Sequence, residues 1–170
     1  MRILVIGSEG NIGRELVPHL KLYHEVYRAD IVQGYGNDYM ICDIKNPLDL
    51  LTVFNQFKPE VVFNLAAMVS RITCEKSMAL TVDTNLTGLQ NVIELCKGYE
   101  SKLIYFSTSE VYGNTNELMK ETMLCRPNNF YGLTKYLGEK IIQYGICESL
   151  DAVILRPFMF YSEYENFGVN

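Results

Sequence analysis

Short runs of apolar residues recur along the chain, separated by amphipathic stretches of ten residues or more. Residues 2–6 are apolar after the first position and read as a buried strand. Residues 25–29 and 39–42 read as a second and third strand, 61–65 as a fourth, 102–106 as a fifth and 152–155 as the last. Helices are expected between them over 11–21, 47–57, 76–97 and 130–147. In the first helix Ile12, Leu16 and Leu20 form an apolar stripe, and the interior Pro18 should kink or shorten it. Pro47 suits the first turn of the second helix. In the third, Leu86, Leu89, Ile93 and either Leu95 or Cys96 are core candidates. Gln33 to Asp38 is a turn-rich loop, and no element is expected over 161–170.

Strands that are apolar on both faces and alternate with helices predict a parallel sheet covered on both sides. Right-handed crossovers then give an α/β fold with a doubly wound sheet. A chain of 170 residues is one domain by length and can bury a sizeable core. The net charge of -5 and the lack of a Lys/Arg cluster give no reason to expect nucleic acid. No apolar run is long enough to span a membrane. Met1-Arg2 leads straight into a strand rather than a signal peptide, so cytoplasmic residence is the default expectation. The five cysteines form no CxxC pair, which suits a reduced compartment. His19 and His24 lack metal-ligand spacing, and no metal site is expected.

Gly7-Ser8-Glu9-Gly10-Asn11-Ile12-Gly13 falls between the first strand and the first helix. The GxxGxxG spacing places glycines where a bound dinucleotide would need them. Gly7 permits the tight turn, Gly10 lets the backbone approach a pyrophosphate, and Gly13 lets the helix pack closely. The helix start at Asn11 and Ile12 offers N–H groups to phosphate. Asp30 ends the second strand twenty residues after Gly10. A carboxylate there accepts hydrogen bonds from a ribose diol and repels a 2′-phosphate, which favours NAD over NADP. A simple strand-end cap is the plainer alternative. Arg28 is expected to point to the other side of the strand. Asp43, in Cys42-Asp43-Ile44, is either within reach of the adenine amino group or an ordinary turn residue before a helix. Leu65-Ala66-Ala67 closes the fourth strand with small residues against which a flat cofactor can pack.

Tyr131 and Lys135 lie one helical turn apart, about twenty residues after Ser107-Thr108-Ser109-Glu110-Val111-Tyr112-Gly113. A tyrosine with its ordinary pKa near 10 is a poor base at neutral pH, and a nearby ammonium would favour the phenolate. With Thr108 orienting an alcohol, such a pair could take its proton as hydride leaves the carbon. The spacing itself is cheap, because Tyr136 and Lys140 repeat it five residues on, rotated by about 140° around the helix. The first pair is preferred because it opens the helix and follows the hydroxyl-rich strand end. The second is read as solvated or packing.

In combination these motifs resemble the extended short-chain dehydrogenase/reductases, the NAD-dependent epimerase/dehydratase group that modifies nucleotide sugars. The resemblance rests on Gly7–Gly13, Asp30, Cys42-Asp43-Ile44, Asn64 to Ala67, Ser107 to Gly113 and Tyr131-Gly132-Leu133-Thr134-Lys135. It implies a Rossmann-like dinucleotide-binding domain over 1–160. Residues 161–170 would begin a substrate-binding region largely absent from this chain. It further implies NAD as cofactor, a nucleotide-sugar substrate, and a homodimer formed through the helices around 84–97 and 130–147. Thr108 would be the catalytic hydroxyl, Tyr131 the base and Lys135 its partner, while Asn85 would support the site. Ser107 and Pro157 would line the cofactor. Glu110 is either an acid/base group or a helix-start carboxylate without a chemical role. The family usually carries an asparagine where Met159 stands, and Tyr161-Ser162 replaces the usual Tyr-Gly, so substrate contacts are expected to differ. A simple ketone or aldehyde reductase and a non-catalytic NAD(H)-binding sensor or scaffold are the alternatives.

Overall fold

Six parallel strands form one sheet in the order β3-β2-β1-β4-β5-β6. A computed structural model describes residues 1–159 and 161, so the expectations for 162–170, Ser162 included, lie outside the described residues. In chain order the elements begin β1 (Arg2–Ile6), α1 (Asn11–Lys21), β2 (Glu25–Asp30), β3 (Tyr39–Ile41), α2 (Pro47–Phe57) and β4 (Val61–Asn64). Two short helices follow, α3 (Arg71–Lys76) and α4 (Met78–Val82), then a π-helical turn over Asp83–Gly88 and α5 (Leu89–Gly98). The chain continues through β5 (Lys102–Phe106), a 3-10 turn over Ser109–Tyr112, α6 (Phe130–Cys147) and β6 (Ala152–Leu155).

Alternation along β1 sends Leu4 and Ile6 to one face of the sheet and Ile3 and Val5 to the other. The first face carries the main core. Leu50, Val53 and Phe54 of α2, Leu89 and Ile93 of α5 and Ile142 of α6 pack there against Leu4, Ile6, Val62, Leu103 and Tyr105. On the second face, Val17 of α1 packs against Ile3, Val5 and Val26. Val17 and Gly13, rather than Ile12, Leu16 or Leu20, are the buried residues of α1. Pro18 does not shorten this helix. It lies on the exposed face, where a missing helical hydrogen bond costs least. In α5 the core residue in question is Cys96, with Leu95 half-buried.

The order in which strands are added reverses between β1 and β4, whose Ile6 and Asn64 are register partners. Crossovers leave in opposite directions from that point, so the carboxyl ends of the strands open a crevice there. It has a volume of about 1120 Å³ and runs from Asp30 and Asp43 on one side to Thr108, Tyr131 and Lys135 on the other.

Candidate active site

The dinucleotide side of the crevice is built by the turn between β1 and α1. Gly7 leaves the strand with φ +84°, and a Cβ there would lie 2.7 Å from the Ala66 amide nitrogen. A Cβ at Gly13 would lie 2.5 Å from the carbonyl oxygens of Gly7 and Ser8, so α1 docks on the turn only because that position is bare. Gly10 precedes α1 without a side-chain cap, and no acidic residue sits in the first turn. The opening N–H groups at Asn11 and Ile12 therefore meet no competing carboxylate in their own turn, as an anion site requires. Leu65, Ala66 and Ala67 line the crevice beside Gly7, and Pro157, Phe158 and Met159 line it beyond β6.

Asp30 lines the crevice at the end of β2, where its Oδ2 accepts from the Glu9 N–H at 2.9 Å and its Oδ1 from the Val32 N–H at 3.3 Å. These bonds fix the carboxylate and leave lone pairs for a diol. The expectation for Arg28 is corrected. Residues two apart on a strand share a face, so Arg28 lies on the same side as Asp30. Its Nη1 lies 3.4 Å from Glu9 Oε1, and its Nε bonds Asp38 at 3.0 Å. That guanidinium, followed by Lys21, holds the Asp38 carboxyl down at about 2. Asp43 is both a crevice residue and a turn residue, since its Oδ1 accepts from the Lys45 N–H at 2.9 Å; Ile44 lines the crevice beside it.

Asn85 is buried behind the residues that line the crevice. Its Oδ1 accepts from the Met68 N–H at 2.8 Å, while its Nδ2 donates to the Met68 carbonyl and to Thr134 Oγ1, each at 3.0 Å. Asn85 thus staples the loop after β4 to α6, and all of its polar atoms are engaged.

On the other side, Asn129 caps α6 by accepting the Gly132 N–H at 2.8 Å, which places Tyr131 in the first turn and Lys135 one turn deeper. Both line the crevice with Ser107, Thr108 and Glu110. Thr108 Oγ1 accepts from the Glu110 N–H at 3.2 Å, and the Thr108 side chain also hydrogen-bonds Tyr131. Tyr136 and Lys140 face away from the crevice, with the Lys140 Nζ over the Tyr136 ring at 5.0 Å and bonded to Gln143.

Burial pushes the Tyr131 phenol up to about 12, and the hydrogen bond with Thr108 only partly opposes it. The expected lowering by Lys135 is absent in the protein alone. Lys135 is itself 3% exposed, and burial pulls its ammonium down to about 7 against the raising influence of Glu139. Its Nζ sits 4.2 Å from the Tyr105 ring centroid. Desolvation is the largest cause of the shift for both members of the pair.

Two features of the site escaped sequence reasoning, the buried Glu139 and the partners of Glu110. Glu139 is fully buried one turn beyond Lys135, accepting from Ser107 Oγ at 2.5 Å and from the Nε and Nη2 of Arg156 at 2.9 and 2.7 Å. The i,i+4 spacing from Lys135 was its available signal. Arg71 donates its Nε to both oxygens of Glu110 at 2.9 Å, and Asn129 Nδ2 donates to Glu110 Oε2 at 2.7 Å. Glu110 therefore stands in the crevice as the partner of two side chains. Met159 is 96% exposed and lines the crevice without a hydrogen-bond donor in its side chain.

A family model described as the NAD dependent epimerase/dehydratase family matches residues 3–170. A dTDP-4-dehydrorhamnose reductase of Aggregatibacter actinomycetemcomitans is 29% identical over 166 residues, covering 97% of this chain and 53% of its own. The crystal structure of a UDP-glucose 4-epimerase of Thermus thermophilus in complex with NAD superposes with TM-score 0.84 at 29% identity, over 92% of this chain and 54% of its own. A monomeric L-threonine 3-dehydrogenase from a metagenome superposes with TM-score 0.85 at 31% identity, over 91% and 53%. The chain spans about half the length of the curated relatives it matches.

Proposed function

The chain belongs to the NAD dependent epimerase/dehydratase family, and from that premise we propose that it oxidises a hydroxyl of a nucleotide sugar, at C4, as the first step of an epimerisation, elimination or decarboxylation. The observation that carries this reading is the convergence of Thr108, Tyr131 and Lys135 on a crevice whose far side is the bare Gly7–Gly13 turn and Asp30. NAD fits this crevice because the glycines leave the turn open, the α1 start carries no competing carboxylate, and Asp30 presents a fixed acceptor. Bound there, NAD would accept the hydride and return it when the product forms. Thr108 would orient the substrate alcohol, and Tyr131 would receive its proton at the phenolic oxygen. Lys135, buried beneath, would hold the cofactor ribose. Oxidation acidifies the carbon beside the new ketone, and Glu110 stands at that end of the crevice as a candidate acid/base group.

Tyr131→Phe should lower turnover at least about 100-fold, the usual range for loss of a positioned general base, while leaving NAD affinity nearly unchanged. Steady-state kinetics beside NADH fluorescence titration measure both. Equal turnover in wild type and Y131F would sink the assignment.

A second reading, oxidation or reduction with release of the cofactor, draws on the likeness to an L-threonine 3-dehydrogenase. Stoichiometric NADH release during turnover favours it, whereas turnover without net absorbance change favours the first. Among the described residues no helix is long and apolar enough to cross a membrane. Residence in the reducing cytoplasm is supported by five free cysteines, of which burial pushes the Cys42 and Cys96 thiols up to about 12.

A further inference from the structure

Three cationic side chains line the crevice, Lys45, Arg71 and Lys135. Lys45 lies 3.4 Å from Asp43, and Lys135 is buried in α6. Arg71 differs from both. Its side chain is 65% exposed, and only its Nε is engaged, by Glu110. The Nη1 and Nη2 groups have no protein partner among the described residues.

The position of Arg71 is set from two directions. Glu110 is bonded through its backbone N–H to Thr108 Oγ1 at 3.2 Å and through Oε2 to Asn129 Nδ2 at 2.7 Å. Asn129 is the cap of α6, two residues before Tyr131. One carboxylate therefore ties the guanidinium to the Thr108 turn and to the start of the Tyr131 helix. The crevice residues near it in sequence and at its mouth, Met68, Val69, Phe158 and Met159, offer no side-chain donor that would compete.

We propose that Arg71 is a specificity-determining residue that receives a carboxylate carried by the substrate beside the hydroxyl oxidised at Tyr131, with Glu110 as the group that aims it. The inference rests on the reading of the preceding section and adds the charge of the substrate to it. A guanidinium presents paired N–H groups in one plane, which match the two oxygens of a carboxylate. With Nε already fixed, little side-chain freedom is left to lose on binding. The negative charge of Glu110 lies across the guanidinium from such a ligand, so the nearer attraction exceeds the more distant repulsion. A phosphate would satisfy the same donors. The link to the reacting end chooses the carboxylate, because in a nucleotide sugar the diphosphate is attached at C1, across the ring from C4, whereas a C6 carboxylate stands on the neighbouring C5.

The test is calorimetric titration of the NADH-loaded chain with UDP-glucuronate and with UDP-glucose, which share the diphosphate and differ at C6. Wild type should prefer the uronate by at least about tenfold, the value of one charge-assisted contact. Arg71→Gln should lose that preference with NADH affinity unchanged, and Arg71→Lys should recover only part of it. Equal wild-type affinity for the two sugars, or an equal loss for both in R71Q, overturns the proposal while leaving the crevice reading intact. The second of these results assigns the guanidinium to the diphosphate. Wild type that binds NADH but neither sugar nucleotide overturns both the proposal and the nucleotide-sugar reading.

Discussion

Lys135 occupies a position that favours its neutral form. Its ammonium is buried against the Tyr105 ring with one carboxylate, Glu139, a turn away, and that carboxylate is already shared by Arg156 and Ser107. A lysine whose folded pKa is about 7, against 10.5 unfolded, destabilises the fold. Between these values the unfolded chain binds more protons than the folded one, so stability rises with pH from about 7 towards 10.5, and the cost is complete below about 7. At pH 7 that cost is on the order of 4 kcal/mol at 1.36 kcal/mol per unit. Lys135→Met should therefore stabilise the cofactor-free protein while removing activity, and the stability difference between the two proteins should shrink as pH rises. Urea denaturation of both at several pH values measures it, and identical stabilities at pH 7 would show that the ammonium is not desolvated. Tyr105 shares this environment. Its hydroxyl is buried without a hydrogen-bond partner among the described residues, and burial raises its pKa, so the pair is held by the ring face.

The run from α4 to α5 is where local pattern and tertiary demand part. Periodicity predicts one helix over 76–97, and the chain is indeed helical there from Met78 to Gly98, but Asp83–Gly88 widens into a π turn. The turn presents Asn85 to Met68, seventeen residues before it, and to Thr134, forty-nine after it. Neither partner is visible in a local window. A wide turn of this kind is characteristic of positions where a side chain must be re-aimed. Asn85→Ala would leave the Met68 N–H and carbonyl without their partner and should cost about 2–4 kcal/mol of stability. Amide exchange at Met68 reports it locally and denaturation globally; an unchanged Met68 amide would mean that the loop is held by something else. Strands were legible because their apolar runs are continuous, and the Gly7–Gly13 turn because its glycines mark close approaches. The Glu139–Arg156 pair was not, since its partners lie on opposite sides of β6, and α3 was not, because six residues behind a Ser70 cap carry too little periodicity. Tyr131 and Lys135 line one crevice, but their ionisation was not legible in the sequence, because burial is a property of the assembled crevice.

At the scale of the molecule, two of the apolar surfaces left exposed bear on assembly. On α6, Leu133, Leu137 and Tyr144 are exposed at spacings of four and seven, one stripe along the helix. On the sheet face that carries α1, Val153 and Leu155 of β6 are also exposed, because α1 packs over the β1–β2 side of that face. Pairing through α5 and α6 would bury the first surface in a two-fold contact of the isologous kind, in which Leu137 meets its own stripe on the partner. Between the α6 stripe and the buried crevice residues lies the helix itself, since Thr134, Lys135, Gly138 and Glu139 face inward from the same turns. A contact that rigidifies α6 would therefore also steady Lys135 and Tyr131 without touching the crevice. We propose the homodimer on this basis, and the two surfaces give it a discriminating test. Leu137→Glu should convert the protein to a monomer in sedimentation equilibrium, whereas Val153→Lys should leave the dimer intact. Dissociation by V153K with L137E still dimeric would transfer the interface to the open sheet face and detach assembly from the catalytic helix.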